Sequence, residues 1–356
     1  MTNYRVGIIG CGRISRNHVA GYNGIEGVAV IAGADPVKEG LDKFGAEFGI
    51  TQLYTDYKEM LAKERLDIVS VCTWPPMHHQ MVLDAAAAGV KAIFCEKPVA
   101  TNLRETDEMV AACEKSGTLL VVNHQRRFLA PYRTAAELID AGEIGELQLI
   151  HSISVGDLLT DATHTIDLMR FYNKDEAVNW VFAAVDTSEI VQRYGHIKEK
   201  GALVSLEFAN GVRGLMEYGH GAAQAVNAYQ KFLITGSKGT IDVKGDYEMS
   251  LTLRKDGEMP REIVTGAEEK SRNQPFRTEV QKALEILEKG GGEHPLSGKS
   301  SRINLEILIA AFESARQRRL LELPISVQGF PLEDMIDPAS IIPEIEDDKR
   351  RARLGA

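Results

Sequence analysis

Lys97 stands in the triplet Glu96-Lys97-Pro98, directly after an apolar run of strand length over residues 90–95. Near the N-terminus a second apolar run enters the glycines Gly10-Cys11-Gly12, with Ser15 following. This is the spacing G-x-G-x-x-[GAS]. Gly10 permits a tight turn, Gly12 lets a pyrophosphate approach the backbone amides, and Ser15 is small where a helix must pack. A glycine fingerprint alone indicates a nucleotide. Followed by a lysine at a later strand end, it indicates hydride transfer: an amine beside a nicotinamide cation is disfavoured as a cation and can exchange a proton with a hydroxyl. A surface lysine is the ordinary alternative, and the strand-end position weighs against it.

Other polar residues fall where such a site would need them. Asp35 ends the strand over residues 28–34 and can accept both ribose hydroxyls of NAD while repelling a 2′-phosphate. It also suits a helix N-cap followed by Pro36, and Lys38 nearby leaves room for NADP. The loop Thr73-Trp74-Pro75-Pro76 follows the strand over 67–73 and is expected to cover the dinucleotide. One histidine of the pair His78-His79 is expected to reach cofactor or substrate. Adjacent rings diverge on a helix, which argues against a two-histidine metal site. Further on, Asp161, His164 and Asp167 share one side near a helix start that Thr160 or Asp161 can cap. A carboxylate holding an imidazole is a recurrent acid–base device. Taken alone, however, a capped helix with a structural histidine accounts for that pattern better.

The elements that would position these groups alternate over residues 1–123. Strands are expected at 4–10, 28–34, 67–73, 90–95 and 118–123, with helices at 13–22, 37–48, 56–64, 77–88 and 102–116. Such alternation implies βαβ units and a parallel sheet covered on both faces. After residue 145 the texture changes to strands at 146–155, 177–187, 202–209, 212–218, 229–235, 239–244 and 248–254. Asn210-Gly211 marks a hairpin between two of them. Helical patterns return at 276–289 and 300–320. The second half therefore reads as a mostly antiparallel sheet with a few helices.

Composition narrows the class. A chain of 356 residues exceeds one ordinary core, so two domains are expected. A net charge of −10 argues against nucleic-acid and anionic-membrane partners, which need clustered cations. No apolar run has membrane-spanning length, and the N-terminus does not read as a signal peptide, so a cytoplasmic location is expected. Cys11, Cys72, Cys95 and Cys113 form no C-x-x-C pair and read as buried thiols, and no metal-ligand pattern is found.

Together these residues resemble the Gfo/Idh/MocA family, that of glucose–fructose oxidoreductase and inositol dehydrogenase. The matching stretches are residues 7–14, 95–98, Asn123 to Phe128, 142–145, 164–167, 235–239 and 313–316, in the family's order over roughly residues 4–326. The resemblance implies an α/β chain: a Rossmann domain over 1–124, then an α/β domain over 125–326 with a large, mostly antiparallel open sheet. Residues 327–356 would be an arm or tail without a counterpart. It implies NAD, or NADP, as cofactor, and a sugar, polyol or sugar derivative as substrate. It also implies a homodimer or homotetramer paired through the open sheet, and a cis bond between Lys97 and Pro98.

By the matched motifs Lys97 is the catalytic lysine and His164 the catalytic histidine, with Asp161 as acidic partner. The family's acidic residue often stands four before the histidine, where this chain has Thr160. Cofactor contacts are expected from Gly10, Gly12, Arg13, Ile14, Asp35, Thr73, Trp74, Pro75, His78, Glu96, Lys97 and Asn123. Substrate contacts are expected from Lys97, Gln125, Arg126, Arg127, Asp157, Asp161 and His164. The reading is an oxidoreductase acting on a secondary hydroxyl or its ketone. Relatives that cleave glycosides with a retained dinucleotide, or that regulate without catalysis, give the alternatives.

Overall fold

The computed structural model describes residues 3–219, 221, 228–245, 249–265 and 273–343. Six short strands, β1 (Tyr4–Ile9), β2 (Val28–Ala34), β3 (Gln52–Tyr54), β4 (Ile68–Val71), β5 (Ala92–Cys95) and β6 (Leu119–Val122), form the first sheet. Helices return the chain after each of the first five: α1 (Ser15–Tyr22), α2 (Lys38–Phe48), α3 (Tyr57–Lys63), α4 (Pro75–Ala87) and α5 (Leu103–Ser116). All pairings are consequently parallel, in the order β3-β2-β1-β4-β5-β6. The order reverses between β1 and β4, and an open α/β sheet binds its ligand outside the carboxyl ends at such a point. The loops carrying Gly10, Asp35, Thr73 and Lys97 all leave that edge. Every element expected there forms, and the short β3, too brief for alternation to be read, is additional.

The second sheet has nine strands: β7 (Leu147–Ser154), β8 (Val178–Asp186), β11 (Gly201–Phe208), β12 (Arg213–Gly219), β13 (Gln230–Gly236), β14 (Gly239–Lys244), β15 (Ser250–Lys255), β16 (Arg261–Ile263) and β17 (Leu321–Glu322). Their order is β16-β15-β14-β13-β7-β12-β11-β8-β17, antiparallel except for the β7–β12 pair. The expected hairpin closes at Asn210-Gly211, where Gly211 takes a φ of 85° and Glu207 pairs with Arg213. The expected strand start at 248 and the tail from 344 lie outside the described residues.

Helices α6 (Ala130–Asp140), α7 (Ala162–Tyr172) and α9 (Gly298–Gln317) cover one face of this sheet. On the other face Phe182 and Leu203 remain 46% and 48% exposed. Helix α6 is not among the elements expected from the sequence; its Pro131 sits in the first turn, where a missing N–H costs nothing. Between β8 and β11 a small antiparallel ribbon, β9 (Val191–Arg193) and β10 (His196–Lys198), stands apart from both sheets.

Helix α8 (Asn273–Glu288) comes late in the chain but packs on the first sheet. Its Phe276 lies against His18, Tyr22 and Phe94. At Gly21 an added Cβ would stand 2.2 Å from the Phe276 ring, so the glycine permits this contact. Among the described residues no helix is long and apolar enough to cross a membrane.

Candidate active site

The first loop on the crevice edge is built for close approach. Gly10 has a φ of 87°, and a Cβ there would meet the Cys72 carbonyl oxygen at 2.8 Å. A Cβ on Gly12 would meet nothing within 4 Å, so this is open space beside the loop. Ile14 precedes α1 and gives its first amides no side-chain acceptor. Exposed amides at a helix start beside open space fit a pyrophosphate. Arg13 is exposed next to them. Ser15 donates to the Gly12 carbonyl at 2.6 Å, which fixes the turn.

Asp35 accepts from the backbone amides of Cys11 (2.9 Å) and Val37 (2.8 Å), so the glycine turn is set around its carboxylate. It does not cap α2, which starts two residues beyond Pro36 with no side-chain cap. Lys38 is engaged with Asp42 at 2.9 Å.

Thr73, Trp74 and Pro75 form the loop into α4, with Trp74 52% exposed. His78 departs from expectation. It has no exposed surface, and its ring nitrogens lie 3.0 Å from the carbonyl oxygens of Pro98 and Thr73. It sits between two crevice loops; burial lowers its pKa, and the neutral ring can donate to only one of these two carbonyls. His79 turns away to Glu108 at 2.7 Å.

The Lys97-Pro98 bond is cis, as the resemblance implies. Glu96 and Asn123, expected among the cofactor contacts, are only 7% and 2% exposed. They are turned into a buried network in which Glu96 Oε1 accepts from Asn123 (2.6 Å) and lies 3.0 Å from His18 Nε2. Burial opposes the Glu96 charge, but His18 and Lys97 hold its carboxyl below the usual range. The Lys97 amide donates to the same carboxylate at 3.2 Å. The Lys97 side chain leaves in the other direction and donates to the Thr160 carbonyl at 2.8 Å, across to the second sheet. Burial lowers the Lys97 pKa. Arg126 and Arg193 push the same way, and Asp161 and Glu96 oppose them.

His164, in the first turn of α7, is 5% exposed, and its Nδ1 has no partner among the described residues. Its ring meets that of His124 edge-on, with centroids 5.6 Å apart. Burial, then the charges of Arg126 and Lys97, hold its pKa well below the ordinary histidine value, so the imidazole is neutral. The expected Asp161–His164 pairing does not form. Asp161 accepts instead from Arg193 (2.7 Å), the Asp157 amide (3.2 Å) and the Tyr229 hydroxyl (3.2 Å). Although burial raises it, Arg193 and Lys97 keep the Asp161 pKa low.

Asp157 has no exposed surface and takes Arg193 at 2.6 Å. Gln125 and Arg126 are half-buried; Arg126 donates to Gln230 at 2.8 Å and stacks over Tyr229. Arg127 departs from expectation as well. It is 3% exposed and is held by Asp167 (2.7 Å) and Asp175 (2.7 Å), a structural ion network out of reach of a ligand. Asp167, at helical spacing from His164, belongs to that network.

Sequence reasoning missed Arg193, His196 and Glu199, all carried by or next to the ribbon. A weak signal was present: Tyr194-Gly195 stands before the polar–apolar–polar triplet His196-Ile197-Lys198, and both turn residues take positive φ, 50° and 77°. That is the geometry of a two-residue hairpin turn.

Comparison with known proteins agrees with this architecture. The family model for the NAD-binding Rossmann fold of the Gfo/Idh/MocA oxidoreductases matches residues 4–124, and that for their C-terminal α/β domain matches residues 149–325. The D-apiose dehydrogenase of Paraburkholderia graminis is 28% identical over 338 residues, 90% of each chain. The myo-inositol 2-dehydrogenase of Thermotoga maritima is 26% identical over 337 residues, 90% of this chain and 98% of the other. Levoglucosan dehydrogenase in complex with NADH and L-sorbose superposes with a TM-score of 0.80 at 21% identity, over 91% of this chain and all of its own. With both family models matched in order across most of its length, the chain belongs to the Gfo/Idh/MocA oxidoreductase family and is an NAD(P)-dependent dehydrogenase.

Proposed function

We propose that the protein oxidises a secondary hydroxyl of a sugar, polyol or sugar derivative to the ketone, or reduces the ketone, with Lys97 and His164 as its acid–base groups. When bound, NAD supplies the hydride acceptor. The observation that carries the reading is the position of Lys97: it leaves the crevice edge beside Pro98 and reaches the turn before α7. An amine whose pKa is lowered by burial gives up its own proton more readily and can then take that of the hydroxyl. His164, neutral and with an unpartnered Nδ1, orients the hydroxyl and steadies the developing oxyanion.

The polar groups around them, Asp157, Asp161, Arg126, Tyr229 and Gln125, suit a polyhydroxylated ligand. The relatives named for apiose and inositol support the same class. In this reading residues 1–124 hold the cofactor, 125–326 hold substrate, and the open sheet face with Phe182 and Leu203 pairs copies of the chain.

A screen of purified protein against sugars, inositols and sugar acids, with NAD and NADP in parallel and reduced nicotinamide followed by absorbance, tests it. Turnover confined to one polyol class is the expected result. Silence across the panel with NAD still bound would overturn it in favour of the glycoside-cleaving or regulatory alternatives.

A further inference from the structure

The ribbon reaches the site from outside both sheets, and its contacts run in one direction. Arg193 Nη1 alone touches two buried carboxylates, Asp157 at 2.6 Å and Asp161 at 2.7 Å. Asp157 Oδ1 in turn accepts from the Thr160 amide at 2.7 Å. The Thr160 carbonyl is the group that receives Lys97 at 2.8 Å. His196 of the same ribbon lies 2.9 Å from the Thr160 hydroxyl, and Glu199 accepts from the Leu158 amide at 2.6 Å. The whole turn from 157 to 161 is therefore held by ribbon residues. Gly156, with a φ of 103°, makes this packing possible: a Cβ there would stand 2.0 Å from Asp161 Oδ2.

The ribbon is stiffened by one internal stack and fixed to its surroundings at two places. The Arg193 guanidinium stacks on the Tyr194 ring, 4.8 Å from its centroid. The turn rests on the crevice loop, where the Tyr194 and Trp74 rings lie 6.5 Å apart. Its outer edge pairs with Ile342 of the C-terminal arm: the Gln192 amide donates to the Ile342 carbonyl at 2.8 Å, and the Ile342 amide donates to Ile190 at 2.9 Å.

We propose that Arg193 is a positioning residue for the reaction. It binds Asp157 and Asp161 together and so fixes the carbonyl that aims the Lys97 amine. The proposal rests on the reading of Lys97 as the proton-exchanging group. A neighbouring carboxyl shows what the guanidinium does. Glu199, equally buried near Asp157 but without Arg193 on it, is pushed up to about 8, first by burial and then by Asp157. Without Arg193, Asp161 would face Asp157 with Lys97, Arg126, Tyr218, Tyr229 and the neutral His164 around the pair. Two carboxylates so placed share a proton. A protonated Asp161 then no longer balances Lys97.

The test compares Arg193→Met, Arg193→Lys and Ile342→Pro with the full-length wild type. Because one nitrogen contacts both carboxylates, lysine can replace it. Arg193→Met is expected to lower kcat about 10- to 100-fold while the KM for NAD stays unchanged. Its pH–rate profile should gain an extra ionisation on the acid side. Arg193→Lys should restore the single-limb profile. Ile342→Pro, which leaves the guanidinium in place but removes one ribbon bond, should lower kcat less and keep the wild-type profile shape.

Infrared pH-difference spectra give a readout without substrate: Arg193→Met should show a protonated-carboxyl band that Asp161→Asn removes from the double variant. Profiles that superpose after scaling, together with no new band, would overturn the proposal. Full turnover in Lys97→Met would instead overturn the reading of Lys97, while the infrared result would still decide the role of Arg193. Should Arg193→Met fail to fold, an Arg193→Lys profile split into two ionisations would count against the proposal, and a wild-type profile for it.

Discussion

Lys97 donates to the Thr160 carbonyl at 2.8 Å, so the strand-end lysine of one sheet is held by the helix start that the other sheet carries. A carbonyl accepts from an amine in either charge state, since both carry N–H groups. The contact therefore aims Lys97 without fixing its charge, which burial and the neighbouring cations lower. Lys97→Met should reduce kcat about 10²- to 10⁴-fold, the usual range for loss of a general acid–base group. NAD affinity by calorimetry should persist. The melting temperature should not fall, because a partly desolvated amine is exchanged for an apolar chain of similar length. Retained turnover would remove Lys97 from the chemistry.

Arg126 gives a test of sign. Its cation lowers the pKa of Lys97 and that of His164. Arg126→Gln should therefore move the acid limb of the oxidation rate to higher pH, since Lys97 then gives up its proton less readily. A limb that moved to lower pH, or stayed in place while kcat fell, would show that Arg126 acts on substrate alone.

Much of this arrangement was legible in the sequence, for identifiable reasons. The glycine turn, Asp35 and the strand-end lysine are local: each sits beside an element whose period is plain, and βαβ topology then brings them to one edge. The errors came where a side chain chose between partners at long range. His78 and Arg127 lie beside the crevice in sequence, yet one is buried between the carbonyls of Thr73 and Pro98, and the other meets Asp167 and Asp175. Asp161 stood at the right spacing for His164, but spacing could not show that Arg193 would compete for it from 32 residues away. Three-residue strands such as β9 and β10 carry too little alternation to be read with assurance.

Arg127 and Asp167 are both almost wholly buried, and Asp167 also accepts from Asn304 at 3.0 Å. Removing Asp167 leaves the buried Arg127 cation with only the half-exposed Asp175 opposite it. Asp167→Ala should cost about 3–5 kcal/mol of unfolding free energy, measured by urea titration. Since Asp167 follows His164 by one helical turn, kcat should also fall as α7 loosens, while NAD binding persists. A loss under about 1 kcal/mol would place the pair in the class of exposed ion pairs.

Asp35 is tied to the glycine turn by the Cys11 amide at 2.9 Å, so its substitution acts twice. Asp35→Ser removes the charge that would repel a 2′-phosphate and loosens the loop that Gly10 opens. NAD should bind about tenfold more weakly, close to 1.4 kcal/mol, and NADP should gain relative to NAD. Lys38 stays with Asp42, so NADP should not exceed wild-type NAD affinity. Parallel titrations with both cofactors measure this. An unchanged NAD to NADP ratio would show that Asp35 serves the turn alone.

Glu199 makes a prediction about stability in place of activity. Burial, then the nearby Asp157, raise its carboxyl from the usual 4.5 to about 8, and its Oε2 has no partner among the described residues. The folded chain thus keeps a proton that the unfolded chain releases near its ordinary value. Between the two pKa values the folded state binds more protons, so unfolding free energy falls as pH rises. The contribution is fully present below about pH 4.5 and is lost as pH passes through about 8. Glu199→Gln keeps an acceptor for the Leu158 amide without a titrating group. Urea unfolding from acid to mildly alkaline pH should therefore show a shallower decline in Glu199→Gln than in wild type. Equal slopes would mean that Glu199 is already ionised in the folded chain and that the cation beside it, Lys198, outweighs its burial.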